Sequence, residues 1–179
     1  MTNKLRYGAA GAAIAAALGF ASAAQAADNA DAQARAEILS SLTLTVQAGT
    51  LLDFGQMVLP NTNGGSVSLS SGNVLDCSDP DIVCSGTTSV PTFDITTGTP
   101  GKDVNVVFTN PSATLLRAGG TAGNAQDEIV LSGFSASAST VTLDVGGAGS
   151  FTVGGTISID GNETPGVFSG TFNVSVEYA

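Results

Sequence analysis

The stretch VTLDVGGAGSFTVGGTISIDGN, from Val141 to Asn162, decides the fold class. Val141, Leu143 and Val145, then Phe151 and Val153, then Ile157 and Ile159 occupy alternate positions. A side-chain period of two turns one face of an extended strand toward a core and the other toward solvent, whereas an amphipathic helix needs a period near 3.6. Gly146-Gly147-Ala148-Gly149 interrupts the pattern and Asp160-Gly161-Asn162 ends it, both built from residue types that turn a chain.

Outward from this stretch the same period recurs. Leu42, Leu44 and Val46, Val67 and Leu69, Phe93 and Ile95, Val104, Val106 and Phe108, and Ile129 and Leu131 all alternate. Asn61-Thr62-Asn63-Gly64-Gly65, Gly98-Thr99-Pro100-Gly101 and Gly119-Gly120 punctuate them. Many short strands at such spacing predict one antiparallel β-sandwich, with no internal repeat, heptad or composition shift to divide it.

Composition narrows the function. The 179 residues carry 15 acidic and 5 basic side chains, a net charge of −10, and no histidine or tryptophan. Without histidine there is no histidine-based triad, no imidazole zinc ligand and no side chain that ordinarily titrates near neutrality. The scarcity of lysine and arginine argues against phosphate-backbone binding, so nucleic acid is not an expected partner. Asp53-Phe54-Gly55 matches a kinase triplet by chance, since the His-Arg-Asp catalytic loop has no histidine to use. Gly101-Lys102 lacks the upstream glycine of a phosphate loop and reads as a turn. The sequons at Asn162 and Asn173 are assigned no role. No enzyme activity and no cofactor are expected.

Lys4 and Arg6 precede an apolar run from Ala9 to Phe20, which leads to Ala24-Gln25-Ala26. That order is a secretory signal over residues 1–26, with cleavage between Ala26 and Ala27. The run is shorter than the roughly twenty apolar residues a bilayer span needs, so no membrane segment is expected after cleavage. The mature chain keeps all the acids but only Arg35, Lys102 and Arg117 as bases, and Tyr178 as its one tyrosine. Cys77 and Cys84 are the only cysteines, and in an exported chain a pair reads first as a disulfide. Asp76, Asp79 and Asp81 beside them lack the spacing and glycine of an EF-hand calcium loop.

Residues 27–40 form a tail ahead of a sandwich domain over 41–179. In the tail Ala30, Ala32, Ala34, Ala36 and Ile38 alternate with Asp31, Gln33, Arg35 and Glu37. Alanine favours helix, but a helix would scatter these alanines around its circumference, so the extended form is preferred. The far end repeats the period: Phe168, Gly170, Phe172, Val174, Val176 and Tyr178 share one face, with Thr171, Asn173, Ser175 and Glu177 on the other. This reads as the final strand of the sandwich, here bordering a groove.

At both ends the chain resembles subunits of chaperone-usher pili, and more closely an uncharacterised family of secreted bacterial domains related to those pilins. The resemblance rests on penultimate Tyr178, on Gly166 fourteenth from the carboxyl end with alternating apolar residues between, on Leu52-Asp53-Phe54-Gly55, and on Val153-Gly154-Gly155-Thr156. It implies an immunoglobulin-like sandwich that lacks one strand and is completed by a donor. Ala30, Ala32, Ala34, Ala36 and Ile38 would be the donor side chains. Gly166, Phe168, Phe172, Val174, Val176 and Tyr178 would line the acceptor groove and serve chaperone recognition. The implied partners are a periplasmic chaperone, an outer-membrane usher and further copies of the chain in a homopolymer, a fimbria-like fibre at the cell surface. The competing expectation is a monomeric secreted adhesin whose Ser, Thr and Asn-rich loops bind a surface. Against it stands the lack of aromatic platforms for sugar stacking.

Overall fold

The computed structural model describes residues 30–179, so the signal segment and the Ala26-Ala27 junction lie outside the described residues. The chain divides between Ala36 and Glu37. Residues 30–36 are exposed and belong to no helix or strand. The unit from Glu37 to Ala179 carries the sheets.

Its strands are β1 (Thr43–Val46), β2 (Gln56–Val58), β3 (Gly65–Leu69), β4 (Leu75–Asp76), β5 (Val83–Ser85), β6 (Thr92–Thr96) and β7 (Asp103–Phe108). There follow β8 (Ser112–Arg117), β9 (Glu128–Ala136), β10 (Thr140–Thr142), β11 (Gly149–Ile159), β12 (Phe168–Ser169) and β13 (Val174–Tyr178). The large sheet runs β1-β6-β11-β9-β8-β12, with β3 and β4 joined to it through β11. A smaller sheet runs β10-β7-β13, and β2 pairs with β5 in a ribbon. The pairings are antiparallel and the fold is a β-sandwich, as the alternation predicts.

β11 organises the large sheet. On one edge it pairs first with β6, through Gly149 to Thr152, and then with β3, through Gly155 to Ile159. On its other edge the register with β9 shifts between Gly154 and Thr156. The switch happens at the two glycines because the neighbouring backbone comes too close for a side chain. A Cβ on Gly154 would overlap the Leu69 carbonyl oxygen and stand 2.5 Å from the Ser70 carbonyl carbon. Leu52-Asp53-Phe54-Gly55 has a packing explanation as well. Phe54 is buried, the Gly55 N–H donates to Asp53 Oδ1 at 2.9 Å, and Gly55 holds a φ of +78° that favours glycine.

Two apolar clusters make the core. The first gathers Phe54, Val67, Leu69, Ile82, Ile129, Leu131, Ile157 and Ile159. The second gathers Phe93, Ile95, Val104, Val141, Leu143, Phe151 and Val153. Phenylalanines join them: Phe134 and Phe172, 4.9 Å apart between ring centroids, pack against both, and Phe93 meets Phe172 at 6.3 Å and Phe151 at 5.3 Å.

Two local expectations are corrected. Val145, grouped above with Val141 and Leu143, is 98% exposed at the tip of a turn. The Asp144 carboxylate accepts the N–H groups of Gly146 at 2.7 Å and Ala148 at 2.9 Å, which reverses the chain before Val145 can reach the core. The C-terminal alternation, read as one strand, is two strands in different sheets. β12 pairs with β8 and β13 with β7, and the chain crosses between the sheets at residues 170–173. Gly170 allows the crossing, since a Cβ there would overlap the Thr114 carbonyl oxygen.

Cys77 and Cys84 form a disulfide with Cα atoms 6.2 Å apart. It ties the end of β4 in the large sheet to β5 in the ribbon. Closing so short a loop should contribute about 2–3 kcal/mol. We therefore expect the Cys77→Ser/Cys84→Ser variant to lose about that much in urea unfolding. An unchanged midpoint would show that the clip adds nothing to stability.

Arg117 Nε donates to Asp127 Oδ1 at 2.7 Å, while the Thr121 N–H and Asn124 Nδ2 both donate to Oδ2 at 3.0 Å. These bonds, the Thr121 N–H foremost, hold Asp127 below its ordinary 3.8, and the Ala148 and Gly146 N–H groups do the same for Asp144. A carboxylate lowered in the fold stabilises it above the unfolded value and loses that contribution as pH falls through the folded one. Thermal stability should thus decline steeply only below about pH 4, and Asp127→Asn/Asp144→Asn should flatten part of that decline. A variant with an unaltered acid limb would refute the assignment.

Candidate functional site

Among the described residues β13 is the last strand of its sheet, paired with β7 on one edge and with no strand on the other. The register matches Val174 to Phe108, Val176 to Val106 and Tyr178 to Val104. The Ala179 N–H donates to the Asp103 carbonyl at 3.0 Å. Because backbone groups alternate in direction along a strand, those of Ser175 and Glu177 face β7, and those of Val174, Val176 and Tyr178 face the open edge. Their side chains are half-buried against the second core cluster.

The large sheet also contributes a terminal strand to this cluster. β1 is terminal in its order, and Leu42 and Leu44 pack half-buried on the same cluster as Val174, Val176 and Tyr178. Both sheets therefore end beside one core with apolar side chains only partly covered. Exposed strand edges backed by apolar side chains are templates for pairing.

The Tyr178 hydroxyl closes one end of the flank. It accepts the Thr99 N–H at 2.8 Å and donates to the Ser40 carbonyl at 2.8 Å, while the Ser40 N–H donates to Thr99 Oγ1 at 2.8 Å. Nearby, Thr97 Oγ1 donates to the Ser41 carbonyl at 3.0 Å and meets Thr43 Oγ1 at 3.0 Å. Lys102 Nζ lies 2.7 Å from Glu37 Oε1. The root of the tail is thus bound to the β6–β7 loop, and Ile38 between these contacts is 96% exposed.

Of the predicted groove residues, Val174, Val176 and Tyr178 stand together on β13, and Phe172 lies beneath both clusters. Phe168 is on β12 against the first cluster, and Gly166 lies in the loop before it, where a Cβ would come within 2.8 Å of the Arg117 side chain. The donor residues Ala30, Ala32, Ala34 and Ala36 are exposed and belong to no strand. Sequence reasoning missed that Leu42 and Leu44 pack on the same cluster as Val174, Val176 and Tyr178, and missed Ser40, Thr99 and Lys102 as the seat of the tail root. The signal for Thr99 was present as the turn Gly98-Thr99-Pro100-Gly101, but its partner Tyr178 lies 79 residues away.

The acids of the disulfide loop are engaged within the protein. Asp76 accepts from Ser78, Asp79 from Ser66 and Asp81, and Asp81 from Asn61 and Asn63. Among the described residues no group of three or more acidic or cysteine side chains is arranged to hold a metal. Among them, too, no helix is long and apolar enough to cross a membrane.

Among the described residues, fold and flank together define an antiparallel β-sandwich protein with an open C-terminal strand edge and with residues 37–40 rooted at one end of it. Residues 44–178 match the family described as a domain of unknown function, DUF4402, and the chain belongs to that family. No curated protein and no solved structure matches it.

Proposed function

We propose that this protein is an exported structural subunit of a bacterial surface fibre, polymerising when the N-terminal tail of one copy pairs along β13 of another. The observation that carries the reading is the open β13 edge, flanked by half-buried apolar side chains from both sheets and lying beside the tail root. In β-augmentation, main-chain hydrogen bonds supply affinity and alternate side chains seek pockets. Ala30 to Ile38 alternate in the required way. Ile38 is the one large donor, and burying it would add roughly 1.5–3 kcal/mol, so the backbone ladder carries most of the pairing. The Cys77–Cys84 bridge fits an oxidising compartment on the export route. A periplasmic chaperone would shield the edge in transit and an usher would place the subunit, in an immunoglobulin-like framework that lacks one strand. The role is structural, not catalytic.

The test compares residues 27–179 with a form lacking 27–38 on a denaturing gel, before and after boiling. Detergent-resistant ladders that collapse on heating are expected only with the tail present. Monomers from both forms would favour the secreted adhesin.

A further inference from the structure

After residue 26 the chain carries only Arg35, Lys102 and Arg117 as bases, so it offers three bonds to an endoprotease that cleaves after lysine or arginine. Such an enzyme takes its substrate as an extended segment, which must first be released from any sheet of its own. Two of the three bonds are held inside the sandwich. The Lys102 N–H donates to the Thr99 carbonyl at 3.3 Å, its carbonyl accepts the Leu143 N–H at 2.9 Å, and the next residue, Asp103, opens β7. Arg117 ends β8, pairs with Phe168 of β12 and sets its Nε 2.7 Å from Asp127, while the following Ala118 N–H donates to the Val167 carbonyl at 2.8 Å. Exposed turns are the usual places for a nick, but those at 61–65, 146–149 and 160–162 hold neither lysine nor arginine.

The bond after Arg35 differs in every respect. Arg35 is exposed, and residues 30–42 belong to no helix or strand. The boundary between the chain's two units falls one residue further on, between Ala36 and Glu37. Ala34 and Ala36 flank the arginine, with no proline to block the bond.

We propose that Arg35–Ala36 is a processing site for a trypsin-like endoprotease, whose cut disarms the donor tail and leaves the sandwich whole. Water adds across the peptide bond: the C–N bond breaks, the Arg35 carbonyl carbon gains the hydroxyl and becomes a carboxylate by losing a proton to solvent, and the Ala36 nitrogen takes a proton as the new amino terminus. Ala30, Ala32 and Ala34 leave, while Ala36 and Ile38 stay with the sandwich. The disarming consequence rests on the donor reading above; the site rests on where the three bases stand.

The test incubates the monomeric fraction of residues 27–179 with trypsin under native, non-reducing conditions and follows the products by intact mass. A product beginning at Ala36 should accumulate, with Arg35 cut at least about a hundredfold faster than Lys102 or Arg117. Its urea midpoint should match that of the uncut protein, and on concentration it should form no heat-labile ladders. Arg35→Gln should stay whole and keep its ladders, and Arg35→Lys should restore the cut, which ties the cleavage to recognition at this position. Cleavage at Lys102 or Arg117 as fast as at Arg35, or an Arg35 bond that survives, would overturn the site. Equal ladders from cut and uncut protein would overturn the disarming role. Ladders from neither would overturn the donor reading and the disarming role with it, the cleavage site being decided by mass alone.

Discussion

Residues 39–179 mixed with a Val176→Asp variant of residues 27–179 should form a one-to-one heterodimer and nothing longer. The first molecule keeps an acceptor edge but has no donor. The second keeps its tail, but an aspartate replaces a half-buried side chain on the apolar wall behind its β13 edge. Covering an ionised group without a partner is costly, so a strand laid over that wall would be rejected. Each protein alone should remain monomeric, while the unaltered chain should form ladders. The expected gain is the sum of several backbone bonds, each about 0.5–1.5 kcal/mol net, and the burial of Ile38. Circular dichroism on the aspartate variant separates a blocked edge from a lost fold. Light scattering decides the outcome. Two folded monomers that ignore each other would remove polymerisation through β13.

Gly154→Val should cost about 3 kcal/mol or more, enough to threaten folding in a domain of ordinary stability. The clash is with backbone, the Leu69 carbonyl and the Ser70 carbonyl carbon, which no side-chain rotation can relieve. Relief would require β3 to separate from β11 at the point where β11 exchanges β6 for β3. Gly72→Ala is the control. A Cβ at Gly72 meets only Ser70 Oγ at 3.7 Å, and the change should lie within about 0.5 kcal/mol of neutral. Denaturant unfolding of both compares them directly. Equal stabilities would mean that the sheet yields at Gly154 and that the glycine pair is not a steric requirement.

The sequence by itself determined the β class, the turn positions and the disulfide. These depend on local chemistry: alternate apolar residues, glycine and asparagine at reversals, and two cysteines close enough to meet. Val174, Val176 and Tyr178 could be placed on one face for the same reason, because the strand period is two wherever the strand lies. Tertiary structure alone decided what that period cannot encode. Phe168 and Val176 have the same parity yet belong to different sheets, since the chain crosses the sandwich between them, past Thr114 at a point where only glycine at 170 fits. Val145 has the parity of Leu143 yet lies in solvent, because the Asp144 carboxylate captured the following N–H groups. The meeting of Ser40, Thr99 and Tyr178 is legible only in three dimensions. Those residues are up to 138 positions apart, and a hydrogen bond between them leaves no periodic trace in the chain.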